Sequence, residues 1–186
     1  MLMKRKDSGF TLIELMIVIA VIGILAIVLI PKIGTIKTQA KTVGLDTNIR
    51  LVQGYAESKI DKWVSQSTSV SDVATNISAS FTSSDDTKNL INPFSSQSHS
   101  AVSGSALPTS GDNSVYIMTV SSDDATVVTT GANAIANVTN VNLAGSILAI
   151  ISTTGGAETG PISGVHLYAY DQSGKVIDEK TVHVTP

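Results

Sequence analysis

Hydrophobic positions along this chain fall into three regimes. Residues 10–30, FTLIELMIVIAVIGILAIVLI, are apolar around every face of a helix, with Glu14 as the one ionisable residue. At 1.5 Å per residue such a helix is about 30 Å long, the thickness of a bilayer's hydrocarbon core. Residues 31–64 turn amphipathic: Ile36, Ala40 and Val43 recur at helical spacing, and so do Leu45, Ile49, Val52, Ala56, Ile60 and Trp63. The two sets lie on roughly opposite sides of the helix, with Gly44 at the change of phase. Two accounts fit. One straight helix buries its second stripe on the chain's own C-terminal part and offers its first to something else, or a kink at Gly44 brings the stripes into line.

The third regime begins at residue 65. Residues 65–113 show little periodicity and many Ser, Thr and Asp, with a break at Asn92-Pro93-Phe94, and predict a surface loop with short elements. Short β-branched runs follow at 114–120, 126–130, 146–152, 164–170 and 175–184, bounded by Gly, Asn, Asp and Pro, and these predict strands. The last two flank Asp171-Gln172-Ser173-Gly174, a hairpin turn with a glycine available for positive φ. The simplest architecture is an antiparallel sheet over 114–186 packed on the helix's second stripe, an α+β fold.

Length allows one small domain plus an anchor in 186 residues. Of 12 basic and 15 acidic residues, Lys4, Arg5, Lys6 and Asp7 lie in the first nine, which leaves nine basic against 14 acidic from Phe10 onward, a net of −5. So acidic a soluble part has no broad footprint for nucleic acid, which is bound largely through its phosphates. The basic residues at 4–6 should stay on the cytoplasmic side of a membrane and the rest of the chain should be exported. An ordinary secretory signal has a shorter apolar region ending at a small-residue cleavage site, whereas here the run meets Pro31. The chain has no cysteine, which excludes disulfides and thiolate metal sites.

Glu14 is the costly residue. A carboxylate at mid-membrane costs roughly 2.5–3.5 kcal/mol on insertion scales, and less near an interface. Residues 10–30 contain no Lys, Arg or His to pair with it. Cleavage after Gly9 would create an amine on Phe10, and one subunit's Glu14 could then neutralise the Phe10 amine of a neighbour.

Lys4-Arg5-Lys6, then Gly9-Phe10-Thr11-Leu12-Ile13-Glu14-Leu15 and the apolar run, resemble the class III leader and N-terminal helix of type IV pilins and related pseudopilins over about the first 31 residues. The resemblance implies a pilin fold and cleavage after Gly9 by a membrane-embedded prepilin peptidase. It also implies N-methylation of Phe10 and an assembly role for Glu14. Gly23 and Pro31 match positions between which pilin helices unwind in the filament; one lacks a Cβ and the other an N–H donor. By this likeness 1–9 is a leader, 10–30 a transmembrane and filament-core helix, and 31–64 its amphipathic continuation. Subunits lodged in membrane lipid would join a homo-oligomeric extracellular filament for adhesion, surface motility, aggregation or DNA uptake, driven by a separate platform protein and ATPase. A pseudopilin of a type II secretion or competence system is the nearest alternative, and a membrane-tethered extracellular binding module with specificity in 65–113 is one of another class. The likeness fades after the helix. Many pilins close a C-terminal loop by a disulfide that this chain cannot make, which leaves the terminal hairpin, 165–184, to stabilise that region.

Other candidates are weaker. His99, His166 and His183 lack the spacing of a metal-binding helix and read as surface or strand histidines, so no metal or other cofactor is expected. Asp85-Asp86 and Asp123-Asp124 do not form an EF-hand loop and read as solvated acids. Asn76 and Asn137 begin N-x-[ST] triplets, which occur by chance. Tyr116, Tyr168 and Tyr170 read as sheet packing. No nucleophile–base arrangement stands out, and the expected role is structural rather than enzymatic.

Overall fold

The structure, a computed structural model, describes residues 9–82, 90–104, 107, 108, 111, 113–119, 140–155 and 160–186, with backbone alone for 30–33 and 101–104. Lys4, Arg5, Lys6, Asp85-Asp86, Asp123-Asp124, Asn137 and the predicted strand 126–130 lie outside the described residues. The elements are α1 (Leu12–Ser65), α2 (Val70–Phe81), β1 (Ser100–Gly104), β2 (Val115–Thr119), a 3-10 turn (Val141–Leu143), β3 (Ile147–Thr153), β4 (Ile162–Tyr170) and β5 (Val176–Val184). The chain divides into two compact units between Ala40 and Lys41.

In the second unit the helix pattern is expressed as its spacing implies. Leu45, Ile49, Val52, Ala56, Ile60 and Trp63 are all buried, while Val43, on the earlier stripe, is 62% exposed. Helix continues through Gly44, with Val43 exposed just before it and Leu45 buried just after, so the stripes are divided there and not brought onto one buried face. Gly44 has a packing reason of its own: a Cβ there would stand 3.3 Å from the Cβ of Pro93.

The region 65–113 is more ordered than expected, for it contains α2 and β1. The Ser69 hydroxyl caps α2 by accepting from the Asp72 N–H at 3.2 Å and donates to the Asp72 carboxylate at 2.7 Å. Val70, Val73, Ala74, Ile77 and Phe81 form its buried stripe. Four Ser and Thr residues between 71 and 80 disguise this helix, because their propensity is poor and packing of one face supplies its stability. Tyr55 clasps it to α1, its hydroxyl donating to the Asn76 carbonyl at 3.2 Å and its ring edge-on to Phe81 at 5.5 Å.

The described strands form one sheet in the order β1-β2-β3-β4-β5. The hairpin end is antiparallel as expected, β3 with β4 and β4 with β5, but β1–β2 and β2–β3 are parallel. The sheet is therefore mixed and begins before residue 114, which corrects the all-antiparallel expectation. Parallel neighbours need long crossovers, and the stretch from Thr119 to Ile147 is long enough for one. Strand alternation then sorts two cores. Ile117, Ala149, Ile151, Val165 and Leu167 join the stripes of α1 and α2; Tyr116, Leu148, Ile150, Tyr168 and Tyr170 form a second cluster with Leu143 on the other face.

Asn92 fastens the loop before β1. Its Nδ2 donates to the Ala144 carbonyl at 2.8 Å and the Asn113 carbonyl at 3.1 Å, and its Oδ1 accepts from the N–H groups of Phe94 and Ser95 at 2.9 and 3.2 Å. The predicted turn closes β4 on β5. Asp171 Oδ1 accepts from the backbone N–H groups of Ser173 and Lys175, and Gly174 takes φ +77°. On the α1 side, Lys180 of β5 pairs with Asp46.

Candidate functional site

The candidate site is the start of α1. Leu12–Leu29 is long and apolar enough to cross a membrane, and none of it is buried by the described protein. A helix this apolar, left unburied by the described residues, has two physical destinations, lipid or other helices like it. Gly9 and Phe10 precede the helix in non-helical conformation, both exposed, so the peptide bond between them is accessible.

Glu14 has a partner that was not foreseen. Thr11 stands at the N-cap of α1, and its backbone N–H donates to Glu14 Oε2 at 2.8 Å while its hydroxyl donates to the same oxygen at 2.7 Å. The Glu14 N–H donates in return to Thr11 Oγ1 at 3.3 Å. This is a reciprocal capping box, and its signature, Thr11-x-x-Glu14, is written in the sequence. The carboxylate sits where the positive end of the helix dipole favours it, and two donors replace part of the hydration it loses near lipid. Among the described residues all these bonds fall on Oε2, and Oε1 accepts none. One carboxylate oxygen thus holds the helix end together.

Gly23 lies inside α1 with open space where a Cβ would be, and helix runs through Pro31 as well. Both positions are helical in the single subunit. Ile36, on the early stripe, is 60% exposed. The histidines divide: His99 is exposed, whereas His166 is buried on β4 and meets His183 across the β4–β5 pair. Tyr116, Tyr168 and Tyr170 are buried in the sheet's second core, and burial raises the pKa of the Tyr168 and Tyr170 hydroxyls. Asn76 is exposed on α2. Among the described residues no group of three or more His, Cys, Asp or Glu side chains converges.

Residues 4–30 match the family model described as the prokaryotic N-terminal methylation motif. With the apolar helix and the mixed α+β head, this marks a type IV pilin-like protein. Over 66 residues the chain is 35% identical to type II secretion system core protein G of Pseudomonas aeruginosa, a stretch that covers 35% of this chain and 46% of that relative. The chain thus spans less than half the length of the relative it matches. No solved structure matches it.

Proposed function

We propose that this chain is a filament subunit, cut after Gly9 by a prepilin peptidase, methylated on the Phe10 amine, and polymerised from the membrane into an extracellular type IV pilus. The observation that carries the reading is the exposed apolar helix Leu12–Leu29 bearing Glu14, whose second oxygen meets no donor among the described residues. In the membrane Thr11 satisfies the carboxylate. In the filament the Phe10 amine of a neighbour reaches Oε1, and the apolar faces leave lipid for each other. The free stripe at Ile36 and Val43 adds contact along the same helix, and loosening between Gly23 and Pro31 lets neighbouring helices fit. A platform protein and ATPase supply the work. The role is structural, with adhesion, surface motility, aggregation or DNA uptake as its outlets.

A second reading is a pseudopilin of a type II secretion system, favoured by the 35% identity to core protein G. Both readings use the same helix chemistry, so two measurements are needed. The N-terminal mass of the mature chain should place its first residue at Phe10 with an added methyl group; any other start overturns the leader assignment. Electron microscopy of cells should show surface filaments that Glu14→Leu abolishes. If wild-type cells with intact assembly machinery make none, and deleting the gene instead blocks export of secreted enzymes, the pseudopilin reading replaces the pilus. If neither changes, the chain is a tethered binding module and the polymer reading fails.

A further inference from the structure

The structure assigns to His166 and His183 a two-histidine site for a transition-metal ion, copper(II) in first place, on the outer face of the β4–β5 hairpin. The residues are 17 apart in sequence but opposite each other in the strand register, with Nδ1 facing Nδ1 at 2.6 Å and ring centroids 4.8 Å apart. His166 is buried and His183 exposed, so an ion reaches the pair from the side of His183.

The surroundings preset the buried ring. The Ser152 hydroxyl donates to the Gly164 carbonyl at 3.3 Å and accepts from the Ser163 hydroxyl at 3.1 Å. Ser152 Oγ lies 3.1 Å from His166 Nε2; with its proton on the Gly164 carbonyl it accepts there, the tautomer that leaves a lone pair on His166 Nδ1. That is how a metal-ligating histidine is oriented, with the far ring nitrogen anchored by a second hydrogen bond. In the ion-free pair His183 donates Nδ1–H to this lone pair. Being exposed, it can release that proton to water and take one up at Nε2, so that both Nδ1 atoms become ligands with no net change in protons.

Geometry selects among ions. With metal–nitrogen bonds of roughly 2.0 Å, two ligands at a right angle stand about 2.8 Å apart, and at the tetrahedral angle about 3.3 Å. The pair must open by a few tenths of an ångström for the first and by far more for the second. Square-planar copper(II), which also heads the affinity order for nitrogen ligands, fits best. Water completes its coordination.

The test titrates copper(II) into the full chain in detergent micelles. One equivalent should bind with the electron paramagnetic signature of two imidazole nitrogens, and zinc should bind more weakly. Ser152→Ala should lose about 10-fold to 100-fold in affinity, His183→Gln at least as much, and His99→Gln nothing. A wild-type spectrum without imidazole nitrogens, His183→Gln binding within twofold of wild type, zinc binding tighter than copper, or an equal loss in His99→Gln would each overturn the assignment and leave a hydrogen-bonded pair only. The wild-type spectrum requires no variant to fold, and circular dichroism shows whether the exposed His183→Gln change has left the sheet intact.

Discussion

Replacing Asn92 by alanine removes the clamp that joins the loop before β1 to the sheet. Asn92 is fully buried, and its amide makes the two donations to Ala144 and Asn113 and the two acceptances from Phe94 and Ser95. The losses are unequal. The Phe94 and Ser95 N–H groups are only half-buried, so water replaces much of what they lose. The Asn113 carbonyl keeps the Ser146 hydroxyl at 2.7 Å, whereas the Ala144 carbonyl is left with what solvent can supply. Two bonds worth about 1 kcal/mol each, plus about 1–2 kcal/mol for an inadequately solvated carbonyl, total about 3–4 kcal/mol. That is a large part of the roughly 5–15 kcal/mol that holds a domain. Trp63, the single tryptophan, is 4% exposed in the core, so its fluorescence reports unfolding of the head alone. In urea, with a slope of about 2 kcal/mol per molar, the midpoint should fall by about 1.5–2 M. Asn92→Asp should do no better, since it turns an acceptor toward two carbonyls. A fall smaller than about 0.5 M for alanine would show that the loop is held by packing and that the clamp is incidental.

Two further predictions concern the terminal hairpin. Gly174 has positive φ and a Cβ there would come within 2.1 Å of the Asn140 carbonyl oxygen, whereas Gly155 has a similar φ of +80° with open space around it. Gly174→Ala should therefore cost about 2–4 kcal/mol and Gly155→Ala only about 1, and equal melting shifts would refute a seat on Asn140. Burial raises the Asp171 pKa, but the Ser173 hydroxyl, the Lys175 and Ser173 N–H groups and the Lys175 charge outweigh it and hold the carboxyl below its ordinary value. Its stabilising contribution is therefore complete above the unfolded value, roughly pH 4, and lost as pH falls through the lower folded value. Urea midpoints across pH 2–6 should show this loss in the wild type and less of it in Asp171→Asn; parallel profiles would refute it.

Much of the molecule was legible in the linear pattern, because the properties concerned are local or periodic. The apolar run, the two stripes divided at Gly44 and the turn at 171–174 depend on spacing along one element, and each reappears in the structure at those residues. Thr11 was legible too, as the first residue of a capping box, yet a search for a cation to answer Glu14 passes over a hydroxyl three residues away. Helix α2 was obscured because its serines and threonines carry the signal of a loop, and only the core beneath Val73 and Ile77 makes a helix of them.

The sequence by itself determined the membrane-compatible helix, its single carboxylate, the Gly9-Phe10 junction ahead of it and the face of α1 that enters the core. Those follow from hydrophobicity and a fixed rise per residue, which no distant contact has to supply. Only the tertiary structure decided that β1, β2 and β3 run parallel, that Asn92 reaches Ala144, and that His166 faces His183. These depend on which strands become neighbours and in what register, a choice made by side chains far apart in the chain when they close a common core.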